Sequence, residues 1–153
     1  QKVRLEFWQQ ALEQLREDGS SRHQNVNPSK DNWISVGTGV SGCAFTLVLL
    51  KSEVRVEVAI QRNSTAENKW IFDQLLAQRE EIERGFGEEL DWHRNDDQKR
   101  CLINLSNPCD GFDPESWPDM ISWMSDRIRR LEGAFAEPLA QLNQRLKSGE
   151  VTT

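Results

Sequence analysis

CAFTLVLLKSEVRVEVAIQR occupies residues 43–62. Its second half alternates strictly. Val54, Val56, Val58 and Ile60 fall on one face, and Arg55, Glu57, Ala59 and Gln61 on the other, which is the period of a strand with one buried side. Only Lys51, Ser52 and Glu53 separate it from the apolar run Ala44 to Leu50, so the two predict an antiparallel hairpin with a tight turn.

Just upstream, residues 37–42 read GTGVSG, a literal G-x-G-x-x-G. A dinucleotide site needs a strand, a glycine turn and then a helix whose N-terminus meets the pyrophosphate, yet here the strand-like CAFTLVLL follows. A kinase glycine loop does lie between strands, and Val58 to Gln61 resembles the V-A-I-K strand. Gln61, however, stands in the lysine place, His93-Arg94-Asn95 lacks the catalytic aspartate, and Asp110-Gly111-Phe112 scrambles D-F-G. The glycines are therefore read as shaping a turn or bulge between strands.

Farther out, the opening QKVRLEFWQQALEQLRED carries Leu5, Trp8, Leu12 and Leu15 at helical steps, and Asp18-Gly19 ends it before a polar loop to about Asn32. Ser64-Thr65-Ala66-Glu67 fits a capping box. The helix it opens bears Ile71, Phe72, Leu75, Leu76 and Ile82, with Gly85 as the expected cap and Glu80–Arg84 as an i,i+4 pair. Leu90 and Trp92, a turn at Asn95-Asp96-Asp97-Gln98, then Cys101, Ile103 and Leu105 predict a second hairpin. A last helix starts near Trp117-Pro118 and holds an apolar stripe to Leu146. Pro138 within it predicts a kink or split near Ala136-Glu137. The expectation is one α+β domain over residues 1–147 in the order α-β-β-β-α-β-β-α, a mostly antiparallel sheet packed by helices, with 148–153 as a frayed tail.

Composition sets the bounds. The 153 residues, 37% apolar with six Trp and six Phe, suit a globular chain. No apolar run approaches the ~20 residues of a membrane span. The start at Gln1 without a basic-then-apolar leader reads as a mature form or, by preference, an excised piece of a longer polypeptide. Three cysteines with no C-x-x-C suggest neither a disulfide framework nor a zinc ribbon, and fit a reducing cytoplasm. A net charge of −6 weighs against a globally basic nucleic-acid binder while leaving room for a local basic site.

Helix, three strands, helix, strand also resembles the core of restriction-endonuclease-like nucleases, which need a carboxylate on the second strand and D/E-x-K on the third. CAFTLVLLK has no carboxylate, and Glu57-Val58-Ala59 puts alanine in the lysine place, so such a core would be degenerate. Neither His23 nor His93 has a metal-ligand spacing. No catalytic residue, metal or cofactor is assigned. The positions left are Trp92, Arg94, Lys99 and Arg100 around the second hairpin, Asn68 and Lys69 in the first turns of the middle helix, and Arg127, Arg129 and Arg130 on the last helix. Read functionally, they contact phosphates and stack a base; read otherwise, they are a packed Trp and neutralised surface arginines.

RLEFW at Arg4–Trp8, NWISVGTGVSG, VRVEVAI, ENKWIFDQL, the span from IERGFG to ELDWHR, KRCLINL and WPDMISWM together resemble the prokaryotic domain of unknown function 4268 family across nearly the whole chain. The resemblance implies a C-terminal module, often joined to nuclease-like domains, with a role beside DNA processing or phage defence. It implies no catalytic mechanism. The expectation is thus a non-catalytic interaction module that meets another protein domain or a nucleic acid and no membrane. A metal-dependent nuclease relying on Glu57 is the alternative.

Overall fold

The computed structural model describes residues 2–149. The chain runs α1 (Lys2–Glu17), a 3-10 turn (Ser21–His23), β1 (Trp33–Gly37), β2 (Cys43–Leu49), β3 (Glu53–Ile60), α2 (Thr65–Leu76), α3 (Arg79–Phe86), β4 (Asp91–His93), β5 (Cys101–Pro108), a second 3-10 turn (Pro114–Ser116) and α4 (Trp117–Lys147). Among the described residues the strands form one five-stranded sheet, ordered β1-β2-β3-β5-β4, and each neighbouring pair is antiparallel. This is an α+β fold in the expected element order, with the middle helical stretch divided in two.

The 43–62 hairpin pairs Phe45 with Val58, Leu47 with Val56 and Leu49 with Val54, and β5 adds Ile103 opposite Val58 and Cys101 opposite Ile60. Alternation puts all of these on one face, where α4 packs along β3 and β2 and gathers α1, α2 and α3 around itself. Phe7, Trp8, Leu12, Phe45, Val58, Phe72, Trp117, Ile128 and Phe135 belong to one buried cluster. Phe7 meets Trp8 and Trp117 edge-on at 5.1 and 5.4 Å, a favourable aromatic geometry. Trp8 donates its Nε1–H to Asp31 O at 2.8 Å, so even this fully buried indole keeps a hydrogen-bond partner.

The glycine loop is a hairpin turn. Thr38 N–H donates to Cys43 O and Cys43 N–H to Val40 O, while Val40 N–H donates to Thr38 Oγ1. These amides close on the loop itself. Gly42 has φ +80°, and a Cβ there would lie 2.5 Å from Arg62 Cγ, which explains a glycine where the turn docks on the end of β3.

Four local expectations are corrected. The helix opened by Ser64, whose Oγ accepts from Glu67 N–H as a capping box predicts, does not run to Gly85. It stops at Leu76, Gln78 takes φ −105° ψ 17°, and α3 restarts to bury Ile82 and Phe86, with Gly87 at φ +102° as the cap. No glycine or proline marks that break, so tertiary packing sets it. Glu67 turns to Arg62 rather than back onto its own cap. The i,i+4 ion pair on α3 is Arg79–Glu83, not Glu80–Arg84, because Glu83 is also held by Leu90 N–H and Trp92 Nε1–H. Finally, α4 runs unbroken through Pro138. Leu131, Phe135, Leu139 and Leu142 are all buried on either side of it, and that packing outweighs the one backbone hydrogen bond the proline removes. Of the expected tail, Ser148 caps α4 by donating its N–H to Gln144 O, and residues 150–153 lie outside the described residues.

Candidate functional site: the uncovered face of the sheet

The residues singled out in the second hairpin come together at one end of the sheet, with different roles. Asn68, fully buried, accepts from Arg62 N–H at 2.8 Å and donates Nδ2–H to Arg62 O and Lys99 O, both at 3.0 Å. Lys69 is also buried, and its ammonium donates to Arg94 O at 2.6 Å and Asn95 O at 2.8 Å. A capped helix start thus presents two adjacent polar residues that hold the backbone of the 94–100 turn from beneath, satisfying carbonyls that would otherwise be buried without partners. Arg94 is drawn onto Asp73 at 2.9 Å and onto Asp96. Trp92 packs edge-on to Phe72 at 6.0 Å and near Phe135 at 6.3 Å, under the Arg79 guanidinium, with Nε1–H donating to Glu83 at 3.0 Å. Burial alone would raise the Glu83 carboxyl, but bonds from Leu90, Trp92 and Arg79 hold it below the usual range. Of the three cations of the second hairpin, Arg94 is paired, while Lys99 and Arg100 are exposed and have no ion pair among the described residues. On α4, Arg127 and Arg130 are bridged to Asp126 and Glu88, and Arg129 lies 4.0 Å from Asp18.

Arg100 reaches a second feature, on the sheet face opposite the helices. Residues of β1, β2, β3 and β5 and their flanking loops line a groove of about 410 Å³ there, with no helix contributing. Three of its lining residues, Ser35, Thr46 and Glu57, belong to a row set by register that continues past the groove. Ser35 pairs with Thr46, Thr46 with Glu57, Glu57 with Asn104 and Asn104 with Asp91, a polar row that crosses all five strands. Ser35 Oγ and Thr46 Oγ1 are 2.7 Å apart. Asn104 Nδ2–H donates to Glu57 Oε1 at 3.2 Å. Thr46, Glu57 and Asn104 are only 7, 6 and 8% exposed, although no helix covers them. Arg55 sits beside the row, 3.9 Å from Glu57 but bonded to Glu53 at 2.5 Å. At the rim, Trp33 is 49% exposed.

Chemically, this face offers hydrogen-bond acceptors, the carboxylates of Glu53, Glu57 and Asp91, two arginines and an open aromatic ring. It does not assemble a metal centre: among the described residues no three His, Cys, Asp or Glu side chains are placed to hold one. Glu57 and Asp91 flank Asn104 two strands apart, roughly 10 Å at the backbone given the ~4.8 Å strand spacing. Burial pushes the Cys43 thiol up to about 11, and raises Cys101 and Cys109 as well, so none is poised as a thiolate nucleophile. His93 is exposed on β4. His23 is fully buried; burial, then Arg22 and Arg16, push it down to about 4, so it is a neutral structural imidazole with Nδ1 2.7 Å from Ser20 Oγ.

Of this groove, the sequence alone points to Arg100 and, for the nuclease alternative, Glu57. Thr46 and Asn104 were visible as single polar interruptions of CAFTLVLL and CLINL. Aligning the two hairpins in register would have put them beside Glu57.

No helix among the described residues is long and apolar enough to cross a membrane. No curated protein matches the chain. The family model described as domain of unknown function (DUF4268) matches residues 3–139, which take in every strand and most of α4, and the chain belongs to that family.

Proposed function

We propose that this domain is a non-catalytic interaction module, cytoplasmic and prokaryotic, that serves a nucleic-acid-processing or phage-defence protein, and that the uncovered sheet face is its binding surface. One observation carries the reading. The face opposite the helices carries a groove and buries Thr46, Glu57 and Asn104, yet among the described residues no three His, Cys, Asp or Glu side chains are placed to hold a metal. Ligand surfaces of this kind combine apolar walls with a few placed polar groups. The processing and defence setting rests on the family resemblance.

A protein partner fits better than a nucleic acid. Of the six candidate positions, Asn68 and Lys69 on α2 and Trp92 are spent on packing and Arg94 on two aspartates. That leaves Lys99 and Arg100, too few phosphate contacts for strong electrostatic binding.

The test combines turnover with mapping. The 153-residue chain is incubated with single- and double-stranded DNA and RNA in Mg²⁺ or Mn²⁺, and anisotropy is followed across a salt series. The expected result is no cleavage and only weak binding, reduced in Lys99→Ala/Arg100→Ala. Metal-dependent cleavage that Glu57→Ala abolishes would sink the non-catalytic reading and restore the nuclease.

A further inference from the structure

Glu57 is the carboxylate on the groove floor, 6% exposed, with its free oxygen facing the groove rather than sealed from it. It has one neutral donor, Asn104 Nδ2–H at 3.2 Å, on Oε1. Arg55 approaches the same oxygen only to 3.9 Å, because its Nε–H is committed to Glu53 at 2.5 Å. Oε2 has no hydrogen-bond partner among the described residues, and the side chain lines the groove.

The surroundings specify what would complete it. Val48, Ala59 and Leu102 supply apolar walls against which a methylene stem packs while its charged head stays polar. Trp33, half open at the rim, offers a ring face to a cation. Thr46 and Asn104 flank the carboxylate with neutral acceptors. Two arginines share the lining, but Arg55 is bonded to Glu53 and Arg100 stands at the rim, so an anionic ligand placed at the floor would set its charge against Glu57. The chain's net charge of −6 further favours a basic partner. We infer that the groove receives the guanidinium or ammonium head of a basic side chain from a partner protein, with Glu57 as its counter-ion and Arg100 at the rim meeting acceptors on the flanking backbone. This rests on the sheet face being the binding surface and adds the chemistry of what it binds.

The experiment titrates the ¹⁵N-labelled chain with the blocked tripeptides Ac-Gly-Arg-Gly-NH₂, Ac-Gly-Lys-Gly-NH₂ and Ac-Gly-Glu-Gly-NH₂ and with a dinucleotide. The signals followed are the Trp33 indole N–H and the Asn104 side-chain amide. Expected are saturable shifts at both with the arginine or lysine peptide, weakened about tenfold in the isosteric Glu57→Gln, as loss of one charge-assisted bond predicts. Trp33→Ala, a rim change that leaves the core intact, should weaken binding by about twofold to fivefold. Absence of saturable shifts with both basic peptides, or equal shifts in Glu57→Gln, would overturn the inference. Groove shifts with the acidic peptide or the dinucleotide would overturn it too, while leaving the face as a binding surface. Shifts at these signals on raising protein concentration alone would assign the groove to a second copy and equally overturn it. The nuclease assay above addresses the module reading separately.

Discussion

The two faces of the sheet are built from alternating residues of the same strands, and each contains groups almost wholly removed from water. On the helix side the row through Phe45, Val58 and Ile103 is buried by α4 and its neighbours. One residue along each strand, the row through Thr46, Glu57 and Asn104 is nearly as inaccessible with no helix over it. A slip of one residue would exchange the two rows, so the alternation in VRVEVAI settles both core and groove. The difference lies in what burial leaves over. Apolar burial satisfies the helix side, whereas on the open side Glu57 keeps acceptor capacity that the chain does not use. Low exposure alone marks core and site equally; unspent hydrogen-bonding capacity separates them.

That contrast can be broken first from the helix side. Phe135, fully buried and stacked near Trp92, should cost about 3–5 kcal/mol on truncation to Ala, read as a lower urea midpoint with an unchanged m-value. A loss below about 1 kcal/mol would mean that α4 is not what closes that face.

His23 gives the next largest effect, as a pH dependence. Its folded value of about 4 lies below the ordinary 6.5. Between those values the unfolded chain binds a proton that the folded chain does not, so stability falls as pH drops through 6.5 toward 4 and is regained above it. The full excursion is on the order of 3 kcal/mol. Glu132, raised by burial, acts in the opposite sense: its share is lost as pH rises through its folded value. His23→Gln should therefore flatten the slope between pH 6.5 and 4, measured by urea unfolding at each pH, and an unchanged slope would remove His23 as its source.

Much of this architecture is legible in the residues. Period-2 alternation in 54–61 and its short link to the preceding run dictate a hairpin, and the strand after GTGVSG excludes a Rossmann turn. What could not be read was set by packing. The break at Ala77–Gln78 has no breaker, and Pro138 sits in an unbroken helix because its neighbours are buried. The site was harder still. Arg94 and Trp92 resemble contact residues until Asp73 and Glu83, 21 and 9 positions away in sequence, are seen to hold them. Conversely, the polar row exists only once four strand pairings are known.

Asn68, in the first turns of α2, ties the end of β3 to the 94–100 turn. Replacing it with Ala strips partners from Arg62 N–H, Arg62 O and Lys99 O and should cost about 1–3 kcal/mol. Amide hydrogen exchange should quicken over residues 94–100, since Asn68 and Lys69 hold that turn. Uniform quickening across the whole chain, rather than at the turn, would show that Asn68 supports the core and not the hairpin.

The smallest effect is expected on the open row itself. In Glu57→Gln the amide oxygen can still accept from Asn104 Nδ2–H, and Arg55 keeps its bond to Glu53. Thr46→Val removes a hydroxyl whose partner, Ser35, is exposed and can turn to water. Each should change stability by less than about 1 kcal/mol, far below Phe135→Ala despite comparable inaccessibility. A groove kept for a partner predicts this, because the carboxylate then contributes to binding rather than to folding. If instead Glu57→Gln unfolded the chain as readily as Phe135→Ala, the row would be a polar core and the two faces would no longer differ in kind.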